Sequence, residues 1–158
     1  MATSKAKKTS TTPKTSATKK KSPYDTRKMN PVVHFEFPAE DRKRISKFYA
    51  SAFGWKTQQL GPEMGNYVTA STCETKKTGS PKELGMINGG FYTKDDNQPE
   101  VYPSVVIAVA DINKAMKKIE KAGGEIIGDP MEIQGIGMMV SFYDSEGNRN
   151  SIMEPIMK

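Results

Sequence analysis

The chain has 158 residues, of which 35% are hydrophobic and 27% charged, and a formal net charge of +6. This length predicts a single domain, and a lone cysteine, Cys73, excludes an intrachain disulfide framework and fits a reducing, cytoplasmic location. No stretch approaches the roughly 18 consecutive apolar residues of a membrane span, and the N-terminus lacks the apolar core of a secretory signal. We therefore expect no contact with a membrane.

The first 29 residues form a distinct basic segment. Residues 1–28 hold nine Lys or Arg against a single Asp, a net charge of +8, which leaves −2 for residues 29–158. This segment has almost no large apolar side chain, so burial cannot offset its ordering entropy, and we expect a disordered tail at 1–29. We expect it to serve either as an electrostatic tether to nucleic acid or another polyanion, or only as a solubilising tail.

The globular part, residues 30–158, begins with a strand and an amphipathic helix. Residues 32–37 are β-branched and aromatic, which predicts a strand that ends at Pro38. Residues 40–53 predict a helix with Glu40 or Asp41 as its N-cap and Gly54 at its end. The apolar stripe of this helix consists of Ile45, Phe48, Tyr49, Ala52 and Phe53.

Three further strands complete this first unit. Residues 55–60 and 65–71 are predicted to pair across a turn, and a polar loop separates them from a fourth strand at 84–92. The Gly89-Gly90 pair in this fourth strand indicates a bulge or the close approach of another group to the backbone.

The same order recurs after a polar linker. Asp111 is predicted to cap a second helix, which ends at Gly123-Gly124. A shift of 71 residues aligns the two helix stripes and places His34 on Val105. The strands of the second unit are predicted at 102–110, 125–128, 131–135, 137–144 and 148–155.

Two such units, about 30–92 and 102–156, predict an α+β fold. Each unit has the order βαβββ, and side by side they form a curved eight-stranded mixed sheet. The helices are expected on the convex face, which leaves an open cleft on the concave face.

Several stretches resemble the vicinal oxygen chelate superfamily, which includes glyoxalases, bleomycin-resistance proteins and extradiol dioxygenases. The resemblance covers about residues 30–156 and is greatest to proteins related to lactoylglutathione lyase. It implies the fold, a homodimer in many members and lyase or isomerase chemistry in some, but no single reaction. The stretches are 34–41 (HFEFPAED), Phe48-Tyr49, Phe53-Gly54-Trp55, Val109-Ala110-Asp111, 144–149 (DSEGNR) and Met153-Glu154-Pro155.

A small-molecule site is expected in the cleft. Strand alternation places His34 and Glu36 on the cleft face, opposite Phe35 and Phe37. His34 is the only histidine, and an ordinary histidine pKa of about 6.5 suits proton transfer, so His34 and Glu36 are the candidate catalytic pair. The mostly apolar lining is expected to comprise His34, Glu36, Asn88, Val105, Ile107, Ser151, Met153 and one of Met138 or Met139.

Many members of the superfamily hold a divalent metal between the first and last strands of each unit. The resemblance implies that three of these positions are His34, Val105 and Ser151, and neither valine nor serine suits a divalent ion. Glu154 has the opposite alternation to Ser151 and is expected to face away from the cleft. We therefore expect no bound metal and no other cofactor.

Three functions remain open. The chain binds a small organic ligand without a metal, like bleomycin-resistance proteins. Alternatively, it is a lyase or isomerase in which His34 and Glu36 act as acid and base toward the substrate, with or without a weakly held divalent metal. In the third hypothesis, the basic tail docks the domain on a polyanion.

Overall fold

The computed structural model describes residues 29–94 and 102–156. The disordered tail was predicted for residues 1–29, and residues 1–28 of it, to which the polyanion contact was assigned, lie outside the described residues. None of the helices in the two described ranges is long and apolar enough to cross a membrane. The elements are β1 (Val32–Ala39), α1 (Arg42–Phe53), β2 (Lys56–Gln59), a 3-10 helix (Pro62–Met64), β3 (Val68–Ser71), β4 (Asn88–Thr93), β5 (Ser104–Ala108), α2 (Ile112–Lys121), β6 (Glu125–Ile133), β7 (Gly137–Tyr143) and β8 (Arg149–Pro155).

The eight strands form one open sheet in the order β2-β3-β4-β1-β5-β8-β7-β6. The first strands of the two units, β1 and β5, pair antiparallel at its centre. Each of them also pairs in parallel with the last strand of its own unit, β4 or β8. This arrangement confirms the predicted α+β fold, in which two βαβββ units share an eight-stranded mixed sheet.

Each helix packs on the sheet through its own apolar cluster. The α1 cluster joins Ile45 and Tyr49 to aromatic side chains of β1 and β4, and the α2 cluster surrounds Ile112. Three residues of the predicted α1 stripe are instead exposed, namely Phe48 (58%), Phe53 (62%) and Ala52. The buried face of α1 is therefore narrower than the predicted stripe.

Several strand boundaries differ from the prediction, among them the start of β3, which is Val68 and not residue 65. Pro38 lies within β1, because β1 pairs with β5 only as far as Glu36 and Pro38 pairs with β4 alone, where a missing N–H is tolerated. The two short strands predicted at 125–128 and 131–135 are one strand, β6, whose register shifts near the predicted break. β4 begins at Asn88, because residues 84–87 form a loop in which the Leu84 side chain is fully exposed.

Two carboxylates hold the N-terminus of α2. Asp111, the N-cap, accepts a hydrogen bond from the backbone N–H of Lys114 at 2.9 Å. Glu154 in β8 accepts a hydrogen bond from the backbone N–H of Ile112 at 2.9 Å. Glu154 therefore faces the helices, as its alternation predicted, and joins α2 to the sheet.

Replacing Glu154 with alanine is expected to lower the free energy of unfolding by about 1–2 kcal/mol, because a helix N-terminal N–H loses its acceptor. Ile112 is only 3% exposed, so water replaces the carboxylate poorly. Urea unfolding followed by circular dichroism measures the change. Glu132→Ala, at an exposed position of β6, is the matched control and should change the value by less than about 0.5 kcal/mol. Equal values for the two variants would contradict the assigned role.

Candidate functional site

The candidate site lies on the concave face, defined as the face of the sheet turned away from α1 and α2. Strand register arranges its side chains in three rows that cross neighbouring strands. The rows are Asn88, His34, Val106, Ser151 and Ser141; Gly90, Glu36 and Ser104; and Ala108, Met153 and Met139.

The structure corrects the predicted contribution of β5 to this face. Val106 is the residue opposite His34, whereas Val105 lies opposite Phe35, which belongs to the α1 cluster. Ile107 packs in the α2 cluster. Val105 and Ile107 thus face the helices and do not line the cleft.

The error arises from the offset between the two units. The helix N-caps Asp41 and Asp111 are 70 residues apart, and with this offset His34 corresponds to Ser104 on the same face. The predicted offset of 71 is odd, and a slip of one residue moves every strand side chain to the opposite face. The second unit therefore contributes Ser104, Val106 and Ala108 to the concave face.

His34 is held by Tyr67, which was not among the predicted site residues. The Tyr67 hydroxyl lies 2.8 Å from Nε2 of His34. The Tyr67 ring covers the backbone of Gly90, where any Cβ would overlap the ring, and the Phe35 ring covers Gly89 in the same way. The Gly89-Gly90 pair therefore permits close approach, as predicted, and it was the available sequence signal for a ring at this place.

Burial keeps the His34–Tyr67 pair neutral. It lowers the pKa of His34 to about 4, so the imidazole is uncharged at neutral pH. Burial also raises the pKa of Tyr67, and the charge of Glu36 raises it further. The ordinary pKa expected for His34 was therefore wrong, because the ring is desolvated.

Glu36 and Arg149 introduce charge into the same region. Burial raises the pKa of the Glu36 carboxyl, and the nearby positive charge of Arg149 partly opposes this. Burial likewise raises the pKa of Tyr92, which the charge of Arg149 lowers and the charge of Glu36 raises. Arg149 donates a hydrogen bond at 3.3 Å to the Ser141 hydroxyl. Neither Tyr92 nor Arg149 was among the predicted site residues.

Asn88, at the edge of the concave face, has a structural role. Its Oδ1 accepts a hydrogen bond from the backbone N–H of Thr72 at 3.0 Å. Its Nδ2 donates to the Gly79 carbonyl at 3.4 Å. The amide thus fastens the loop between β3 and β4, and these contacts occupy it.

Two other predicted lining residues lie on the concave face. Ser151 is 3% exposed, and its Oγ lies 3.2 Å from Oγ of Ser141. Met153 pairs with Met139, whereas Met138 packs in the α2 cluster. Met139 is therefore the residue of the Met138-Met139 pair that joins the apolar part of the face.

The donor groups present do not fit the divalent metal that the resemblance implies for many members. Within residues 29–94 and 102–156, no three His, Cys, Asp or Glu side chains gather as a ligand set. Nε2 of His34 faces the Tyr67 hydroxyl, and the equivalent position in β5 is Ser104. Neutral serine hydroxyls are poor ligands for a divalent ion.

Comparison with known sequences gives a family and two relatives. The profile of the Glyoxalase/Bleomycin resistance protein/Dioxygenase superfamily matches residues 32–152. Anthracycline biosynthesis protein DnrV from Streptomyces peucetius is 28% identical over 120 residues, which cover 72% of this chain and 42% of that protein. Protein DauV of the same description, from Streptomyces sp. (strain C5), is 27% identical with the same coverage. The chain thus spans less than half the length of these relatives.

Solved structures with the same architecture are more distant in sequence. Hypothetical protein BH1468 from Bacillus halodurans C-125 superposes with a TM-score of 0.60 at 14% identity, covering 83% of this chain and 98% of that one. Methylmalonyl-CoA epimerase from Mycobacterium tuberculosis gives a TM-score of 0.58 at 10% identity, covering 80% and 88%. At these identities the likeness shows the fold alone.

Proposed function

The chain belongs to the glyoxalase/bleomycin resistance protein/dioxygenase superfamily, and from this premise we propose that its concave face binds a small, largely apolar organic ligand without a metal ion. The observation that carries the proposal is the composition of this face, where the partly exposed Met139 and Met153 lie in the row next to that of His34, whose imidazole contacts the Tyr67 hydroxyl. Val106, in the row of His34, is completely buried and lies beneath this surface. An apolar surface with a few fixed polar groups is typical of small-molecule sites. Methionine side chains also adapt to ligands of different shapes.

The names of the two relatives support a choice of ligand class. Both are associated with anthracycline biosynthesis, and anthracyclines are polycyclic aromatic compounds. A flat aromatic body is therefore the first chemistry to test.

The test uses N-phenyl-1-naphthylamine, an uncharged aromatic probe that fluoresces in apolar surroundings. We expect saturable fluorescence enhancement with one site per chain, unchanged by EDTA. Met139→Glu is expected to weaken binding at least about tenfold, because it places a charge within the apolar part of the face.

Phe48→Glu is the matched control, because Phe48 is an exposed apolar side chain on α1, away from the concave face. It should leave probe binding unchanged. Trp55, which stacks on Tyr49 in the α1 cluster at 4.4 Å between ring centroids, reports whether each variant is folded. Absent binding, or binding lost in Phe48→Glu and kept in Met139→Glu, would reject the proposal.

Proton exchange by Glu36, in a lyase or isomerase reaction, is a second candidate function. The observation that favours it is the raised pKa of this buried carboxyl, which moves it toward the range of a general acid or base. His34, neutral and hydrogen-bonded to Tyr67, would then position the substrate rather than take its proton.

The apolar ketone 1-tetralone in D2O tests this second function. We expect deuterium to enter beside the carbonyl faster with protein than in buffer, as measured by NMR. Glu36→Gln should abolish the acceleration and retain binding of N-phenyl-1-naphthylamine. Exchange no faster than in buffer would reject catalysis on such ketones.

A further inference from the structure

Arg149 is a cation on the concave face with most of its hydrogen-bonding capacity unused. It is partly buried at the start of β8. A guanidinium offers five N–H donors, and in the part of the chain that the structure describes Arg149 makes one hydrogen bond, to Ser141. It forms no ion pair with any described carboxylate. Such a group favours an anionic partner.

The Arg149 guanidinium contacts Ser141, which in turn contacts Ser151. Ser141 accepts its hydrogen bond at 3.3 Å, and the Ser141 hydroxyl is 3.2 Å from that of Ser151. Ser151 is 3% exposed and lies beside Val106 in the floor of this face. The guanidinium is therefore anchored at one end of the apolar surface.

Glu36 and Arg149 flank Ser104 on the concave face. Glu36 lies opposite Ser104 in β5, and the β5–β8 register, continued by two residues, places Ser104 beside Arg149. Two strand spacings, about 10 Å in all, thus separate the two backbones. Ser104, 9% exposed, is the small residue between them.

We infer that Arg149 binds a carboxylate of the ligand, so that the concave face accepts organic acids with an apolar, aromatic body. Arginine suits this role because its planar fork matches the two oxygens of a carboxylate. The inference rests on the proposed function, since it names one end of the same ligand.

The experiment compares 2-naphthoate with 2-naphthamide, two compounds of the same shape that differ in charge. Each displaces N-phenyl-1-naphthylamine from the protein in a competition titration. We expect 2-naphthoate to compete at a concentration about 10- to 100-fold lower than 2-naphthamide, as for hydrogen bonds between charged groups.

Variants assign this preference to Arg149. Arg149→Gln is expected to abolish the preference by reducing competition by 2-naphthoate to the level of 2-naphthamide, and Arg149→Lys should restore part of it. Arg44→Gln removes an exposed charge on α1, where Arg44 pairs with Glu40, and should have no effect. If the probe binds but the two compounds compete equally, or if Arg149→Gln keeps the preference, the inference is overturned and the proposed function stands. Absent probe binding would overturn the proposed function as well.

Discussion

Replacing Phe91 with alanine is expected to lower the free energy of unfolding by about 3–5 kcal/mol. Phe91 is completely buried in β4. The centroid of its ring lies 5.3 Å from that of Tyr49 in α1 and 6.2 Å from that of Phe37 in β1. Truncation therefore leaves a cavity between α1 and the sheet, and the surrounding aromatic rings collapse into it only partly. Urea unfolding followed by far-UV circular dichroism measures the loss.

Phe48→Ala is the control for this prediction, because the same side chain is removed from a position 58% exposed on α1. Its free energy of unfolding should fall by less than about 1 kcal/mol. A loss of similar size in both variants would contradict the prediction, because burial in the α1 cluster would then not determine the loss.

Acidification is expected to destabilise the protein through His34, by about 3 kcal/mol between neutral pH and pH near 4. Burial lowers the pKa of His34 from 6.5 to about 4 in the folded protein. Between these two values, the unfolded chain binds a proton at His34 and the folded chain does not. Stability therefore falls as the pH decreases through 6.5, and this contribution levels off below the folded pKa.

The measurement is the free energy of unfolding in urea between pH 7 and about pH 4 for the native protein and His34→Gln, which lacks the titrating group. Carboxyl groups such as Asp41 and Asp111, whose pKa is lowered by hydrogen bonds to backbone N–H groups, also destabilise the fold in acid. The raised pKa of Glu36 acts in the opposite direction. These groups are common to both proteins, so the difference between the two curves isolates His34.

Tyr67→Phe is the control for the pH prediction. It removes the hydroxyl that faces His34 but leaves the ring that buries it, and burial is what lowers the His34 pKa. Its pH dependence should therefore match that of the native protein. Parallel curves for the native protein and His34→Gln would contradict the prediction.

Local features of the sequence were enough to predict which side chains of β1 face the cleft and where both helices begin. Alternation along β1 separates His34 and Glu36 from Phe35 and Phe37, because neighbouring strand residues point to opposite faces. Asp41 and Asp111 begin their helices because their carboxylates accept hydrogen bonds from free backbone N–H groups. Neither assignment depends on contacts with distant residues.

The face that β5 presents was decided only by the tertiary structure. Apolar helix stripes are broad: Ile45 aligns with Met116 at an offset of 71 and with Ala115 at 70, and both of these pack in the α2 cluster. The helices therefore tolerate either offset. Strands repeat every two residues, so the same uncertainty exchanged Val105 for Val106 on the concave face.

Tyr67 and Arg149 were identified as site residues only by the structure, for a related reason. Tyr67 precedes β3 and Arg149 begins β8, and the sheet order leaves one strand between each of these strands and β1. Tyr67 therefore contacts His34, and Arg149 acts on Glu36, through long-range packing that no local sequence pattern predicts. The same packing removes water from His34 and lowers its pKa. The sequence by itself determined the fold and which side chains of β1 face the cleft. The tertiary structure decided their charge and their neighbours, because burial and contacts across strands depend on how the two units pair.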